Sequence, residues 1–200
     1  MTGRTAIFAI AACCATMSLL AGNVCTWIGA GGDAKWSNAA NWDVLPVSGN
    51  GDTLVFTNAE ELVSVNDSES FSLSKLFCIG TGKVTFASGE NAGEIKFALN
   101  GMSLTNACNV VFDVPVRIAN NVTFVFNAGA ILNGEIAIQG LYTLYFNKTG
   151  SILPLIAVNG GVTGADATFS VRIGRNGALS TIMDLDPPFM VNSKIRVKNM

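Results

Sequence analysis

Histidine is missing from all 200 residues, and charged side chains of both signs together make up only 13%. Without an imidazole, the Ser-His-Asp and Cys-His machineries are excluded in their usual form, and zinc loses its commonest ligand. No G-x-x-x-x-G-K-[ST] run is present to cradle a phosphate, and no acidic cluster has the spacing of a calcium loop. Twelve Lys+Arg stand against 14 Asp+Glu, a net charge of −2, with no basic block of the kind that neutralises a nucleic-acid backbone. Outside the N-terminal segment no stretch reads as a long amphipathic helix. No catalytic residue, metal or cofactor is therefore expected, and no residue pattern names a reaction.

What is abundant is apolar residues, 50% of the chain, together with 21 glycines and many asparagines, the residues that most readily turn a chain. They are arranged as a ladder, clearest from Leu104 to Gly150. Read with period two, Phe112, Val114, Val116 and Ile118 share one face, with Asp113, Pro115 and Arg117 on the other. Asn120-Asn121 breaks that run; Val122, Phe124 and Phe126 resume it, and Ile136 with Ile138, then Tyr142, Leu144 and Phe146, follow further turns. Similar runs precede it: Leu62, Val63 and Val65; Phe71 and Leu73; Val84 and Phe86; Ile95, Phe97 and Leu99. Phe169, Val171 and Ile173 follow it, Asp184 to Pro188 interrupts the pattern, and a last strand spans Ile195 to Val197 with Lys194, Arg196 and Lys198 guarding its edge. Short strands closed by Asn or Gly at such intervals predict an all-β fold. Two architectures fit: an elongated right-handed β-helix, or solenoid, with a capped end, and a β-sandwich.

Residues 1–22 read as a signal peptide. Arg4 gives a positive start, and Ala6 to Ala21 is almost wholly apolar yet short for a bilayer core of about 30 Å. The mature chain is expected to begin close to Asn23. Ile10-Ala11-Ala12-Cys13 also has the outline of a lipoprotein box, but the apolar run before it is short. Cys25, Cys78 and Cys108 would remain after cleavage, an odd number that forbids complete pairing within the chain.

Residues 23–57 hold all three tryptophans, Trp27, Trp36 and Trp42, among Gly29, Gly31, Gly32, Asn38 and Asn41. Two readings compete. The aromatics could close the end of a solenoid, whose terminal coil otherwise exposes core and an unpaired edge, with Ile28, Leu54 and Phe56 as apolar neighbours. Alternatively they could present flat faces to sugar rings, a ligand platform of Trp27, Trp36 and Trp42. Asp33, Asp43 and Asp52, scattered through the segment, read as solvated turn formers. Glu60-Glu61 with Asp67 and Glu69 read as a solvated edge rather than a cation site.

The opening Thr26-Trp27-Ile28-Gly29, the run Lys35-Trp36-Ser37-Asn38-Ala39-Ala40-Asn41-Trp42 and Gly51-Asp52-Thr53-Leu54-Val55-Phe56 resemble the N-terminal segment of bacterial surface proteins that carry autotransporter-associated β-strand repeats. Leu99-Asn100-Gly101-Met102-Ser103-Leu104-Thr105-Asn106 and Phe146-Asn147-Lys148-Thr149-Gly150 are similar to the repeats themselves. The resemblance covers most of residues 26 to 160. It implies a passenger-like β-helix displayed at or beyond the envelope, secreted or held at the outer surface. One departure stands out: after the ladder about fifty residues remain, fewer than an export barrel needs at about nine to eleven residues per strand.

The expected organisation is thus a signal at 1–22, a Trp-rich cap at 23–57 and a repeat solenoid at 58–200. The expected role is an exported, non-enzymatic structural or adhesin-like module, its partners surface glycans or other envelope components, with no nucleic acid and no membrane span after signal removal. The alternative is a carbohydrate-binding module or a degenerate polysaccharide-active β-helix enzyme. For the enzyme, Arg172 and Arg175 near Asp166 are the only acid–base grouping on offer.

Overall fold

The computed structural model describes residues 22–91, 93–148 and 156–164, and the strands at 168–173, 183–185 and 194–199. Apart from Gly22, the segment read as a signal lies outside the described residues, as do Asp166 and Arg175.

Alternating apolar and polar residues between turns give short strands, with buried inward positions along β1 to β16. In chain order they are β1 (Val24–Thr26), β2 (Thr53–Phe56), β3 (Leu62–Asn66), β4 (Ser70–Leu73), β5 (Lys75–Cys78) and β6 (Val84–Ser88). There follow β7 (Glu94–Phe97), β8 (Gly101–Asn106), β9 (Val110–Asp113), β10 (Val116–Ile118), β11 (Val122–Phe126), β12 (Ala130–Leu132) and β13 (Ile136–Ile138). The last are β14 (Thr143–Lys148), β15 (Ile156–Val158), β16 (Val162–Thr163), β17 (Thr168–Ile173), β18 (Met183–Leu185) and β19 (Lys194–Asn199). The only helical element among the described residues is a single 3-10 turn, Ala39–Asn41.

Each strand from β5 to β18 pairs with the one three before it, while β1 pairs with β2 and β19 with β17, always parallel. The first sheet runs β1-β2-β5-β8-β11-β14-β17-β19, the second β18-β15-β12-β9-β6-β3 and the third β16-β13-β10-β7-β4. The chain therefore winds through three sheets in turn, and the described strands from β2 to β16 make five complete coils. This is a β-solenoid; a β-sandwich, built of antiparallel strands, is ruled out by the parallel pairing.

The register stacks like residues into columns through the interior. Leu54, Leu76, Leu104, Phe124 and Phe146 lie one above another on the first sheet. Phe86, Phe112, Leu132 and Val158 do so on the second, and Leu73, Phe97, Ile118 and Ile138 on the third. All are buried in one continuous core. Coils about 4.8 Å apart bring each side chain against its counterparts. Phe124 sits 4.9 Å from Phe97 and 5.8 Å from Phe146. Full burial of such a side chain stabilises by about 1.5–3 kcal/mol, so stability accumulates along the stack.

The corners stack as well. Between the second and third sheets, Asn159 Nδ2 donates to Asn133 Oδ1 (2.7 Å) and Asn133 Nδ2 to Asp113 Oδ1 (2.6 Å), an amide ladder across three coils. The next residues nest backbone on backbone. A Cβ at Gly134 would lie 2.1 Å from the Val114 carbonyl oxygen, and one at Gly160 2.3 Å from the Gly134 carbonyl carbon, so only glycine fits there.

Several expectations need correction. Phe112 to Ile118 is not one strand: the alternation passes through a corner at Val114-Pro115, dividing it between β9 and β10 in different sheets. Pro115 has no N–H to give to a ladder, so the chain turns there. Leu99 is 48% exposed and Tyr142 37%, because each lies just outside a strand, where the alternation no longer dictates direction. In β3 the pattern is inverted: Ser64 and Asn66 face the core, while Val63 and Val65 point outward. Asp184, read as part of an interruption, lies within β18, paired with Ala157. The three cysteines of the described segment, Cys25, Cys78 and Cys108, are buried free thiols.

Candidate functional site

The Trp-rich segment is itself an irregular coil laid over the first regular one. β1 pairs with β2. Ala34 and Trp36 bracket Val65 of β3, Val65 N donating to Ala34 O (2.7 Å) and Trp36 N to Val65 O (2.9 Å). Gly49 N donates to Ser72 O (2.9 Å) of β4, and Ser72 N to Ser48 Oγ (2.9 Å). All three sheets are covered at this end, and the segment shares its core with the coils below.

The tryptophans fill the inside of this coil, with exposures of 8% for Trp27, 1% for Trp36 and 3% for Trp42. Trp27 meets Trp42 edge-on at 4.9 Å and stacks on Phe56 at 5.7 Å, while Trp36 meets Phe71 edge-on at 5.0 Å. Buried indoles need partners for their N–H groups. Trp36 Nε1 donates to Ser64 Oγ (2.5 Å), and Trp42 Nε1 to the Trp36 carbonyl (3.0 Å). The inversion of β3 follows from this: a hydroxyl must face inward where an indole N–H comes down on it. With their faces against one another and the core, the three rings leave no open platform for a sugar. Leu54 and Phe56 pack beneath them as expected, but Ile28 points outward, 57% exposed.

Polar side chains tie the coil together. Asn41, fully buried, donates to the Asp33 and Lys35 carbonyls (3.1 and 3.0 Å) and accepts from Gly31 N (2.8 Å). Asn38 caps the 3-10 turn by accepting from Ala40 N (3.0 Å). Exposed Asp43 accepts from Thr26 N (2.5 Å) and Val44 N (2.7 Å), bonds that hold its carboxyl below the usual carboxylate range; the Lys35 N–H does the same for Asp33. Asp52, read as a solvated turn former, is instead fully buried, accepting from Asn23 N and Val47 N (2.7 Å each) and Asn50 Nδ2 (2.8 Å). Burial, then the Asp52 and Asp43 charges, push the neighbouring Cys25 thiol up to about 12, leaving it protonated and inert at neutral pH. Sequence reasoning missed the buried roles of Asn41, Asp52, Ser64, Asn66 and Asn106; the one local signal was a polar residue on the inward parity of an otherwise apolar strand.

The acidic residues of the first regular coil are not brought together. Glu61 pairs with Lys83, and Asp67 accepts from Ser37 N (3.0 Å) and Ser37 Oγ (2.5 Å). No group of three or more His, Cys, Asp or Glu converges among the described residues.

Concavities lie outside the core as well. A groove of about 630 Å³ runs along the corner between the first and second sheets, bounded by Lys83, Ala107, Asn109, Ala128, Val111 and Ile131. A smaller one, about 360 Å³, lies beside the cap among Lys35, Asp67, Ser88, Glu90 and Asn91. The larger offers apolar side chains flanked by the Lys83 ammonium and the Asn109 amide. Among the described residues no helix is long and apolar enough to cross a membrane. No family model matches the chain, and neither curated proteins nor solved structures yield a match.

Proposed function

We propose that the protein is an exported, non-enzymatic structural or adhesin-like β-solenoid module displayed at a bacterial cell surface. The observation that carries the reading is the closure of one end of a continuous parallel stack by its three tryptophans. Their large apolar surfaces work inside the coil, stabilising an edge that would otherwise template aggregation. Such a rod presents flat, short-chained faces repeated coil after coil, the form of a spacer or an adhesive surface. The resemblance of the Trp segment and repeats to autotransporter-associated passengers points the same way.

An epitope inserted after Leu141, an exposed corner residue, tests display. Antibody binding on intact cells is the expected result; binding only after the envelope is opened overturns surface display. The corner groove favours a second reading, in which a surface glycan lies along Val111 and Ile131. Glycan-array binding abolished by Val111→Asp but retained by Trp42→Phe would establish it.

A further inference from the structure

We propose that Asn23 becomes the N-terminus of the mature protein and that its new α-ammonium is received by the buried carboxylate of Asp52. The proposal rests on the export reading above. Asp52 is fully buried, and these donors to it are all neutral: Asn23 N, Val47 N, the Asn50 amide and the Cys25 thiol, with Sγ 3.9 Å from Oδ2. The ion pairs among the described residues, Glu61–Lys83 and Glu94–Arg117, do not include it. A carboxylate taken out of water is costly unless a cation is placed beside it. Only one of the four donors can acquire a positive charge without moving, and that is the Asn23 nitrogen, 2.7 Å from Oδ1. It is held there because the Asn23 carbonyl accepts from Thr53 N (2.8 Å), the first rung between β1 and β2.

The chemistry is hydrolysis by a signal peptidase of the envelope. Water adds its hydroxyl to the Gly22 carbonyl carbon, the C–N bond to Asn23 breaks, and the leader departs with a carboxylate. The freed amine takes up protons to become an ammonium, so the neutral amide N–H on Oδ1 is replaced by one N–H of a charged group. A Cβ at Gly22 would lie 2.2 Å from the Gly51 carbonyl and 2.5 Å from Asp52 N. In the folded chain the half-buried Gly22 thus packs on the 51–52 peptide, while Asn23 beside it is exposed. Cleavage places next to Asp52 a charge that the uncut chain lacks.

The test is to express the full chain with its own N-terminal segment in a bacterial host, recover it from the envelope fraction, and determine its N-terminus and intact mass. Its amines are then acetylated at neutral pH, with exposed Lys75 as internal reference. The expected product begins at Asn23, and its α-amine reacts about tenfold more slowly than in Asp52→Asn, since pairing with a carboxylate keeps the proton on the nitrogen. Should Asp52→Asn fail to fold, the unsubstituted protein is compared native and in urea, where the same protection must disappear. An exported product that begins elsewhere, or an Asn23 amine as reactive as in the variant or in urea, overturns this proposal alone. An uncut chain retained in the cytoplasm overturns the export reading with it.

Discussion

The cap coil and the coils beneath it meet the same demand by different means. From β5 to β14 each strand hands its N–H and C=O groups to the coil on either side, and the interior is filled by columns of apolar residues in register. Among the described residues no further coil lies above β1. In the segment 23–52, side chains of Asn41, Asn38, Asp43 and Asp52 accept or donate the bonds that a neighbouring strand would have made, and three indoles wedged at right angles replace the column. A repeat is thus stabilised by its neighbours, and an end by its own polar side chains, because every buried backbone group must find a partner somewhere.

The contrast can be broken most forcefully in the regular coils. Phe124→Asp places an unpartnered charge inside a column and should destabilise by on the order of 4–5 kcal/mol, whereas Thr123→Asp, on the outer face, should be nearly neutral. Equal effects in urea unfolding would refute the register. In the cap, Trp36→Ala should cost about 3–5 kcal/mol, the usual loss on emptying a large aromatic site. The same burial predicts blue-shifted emission and protection from iodide for the unsubstituted protein; three tryptophans quenched as freely as a model peptide would refute the cap.

A smaller effect separates packing from hydrogen bonding. Trp36→Phe leaves the Ser64 hydroxyl buried without its donor, at about 1–3 kcal/mol, and adding Ser64→Ala should recover part of that loss. Simple additivity of the two would show that the bond contributes nothing. Asn133→Ala, which cuts the amide ladder at an exposed corner, should cost at most about 1 kcal/mol. The smallest change concerns acid. The carboxyl of Asp43 is lowered by its bonds to the Thr26 and Val44 N–H groups, so its contribution is present above the ordinary carboxylate range and is lost as pH falls through that range to the lowered value. Tryptophan emission followed on acidification should therefore shift in the cap first, and Asp43→Asn should flatten that response.

Burial on one face imposes period two on a strand, which is why Phe112, Val116, Phe124, Phe126 and Ile136 were legible as core residues. The direction of pairing was not, because the coil period is hidden. Stacked positions are 22 residues apart from Leu54 to Leu76, 28 from Leu76 to Leu104, and 20 from Leu104 to Phe124, with a bulge at the last step. Corners of different length absorb the variation, and a corner carries little pattern of its own. The site was legible in its tryptophans but not in its carboxylate. Nothing local to Asp52 shows that residues 23 and 47 fold back to enclose it, and the inward Ser64 makes sense only once Trp36 is placed above it.

The parallel winding also has a consequence for the rate at which the molecule forms. Each coil contacts the one before it across a loop of roughly twenty to thirty residues, and the entropy of closing such a loop grows only with the logarithm of its length. No single step requires distant parts of the chain to meet, so growth of the stack is a series of similar, modest barriers rather than one large one. The closed end lies near the start of the chain. A polypeptide emerging with its N-terminus leading would complete its seal together with the first regular coil, on which Trp36 and Gly49 rest, and then add coils in the order of their arrival, each newcomer templated by a finished edge.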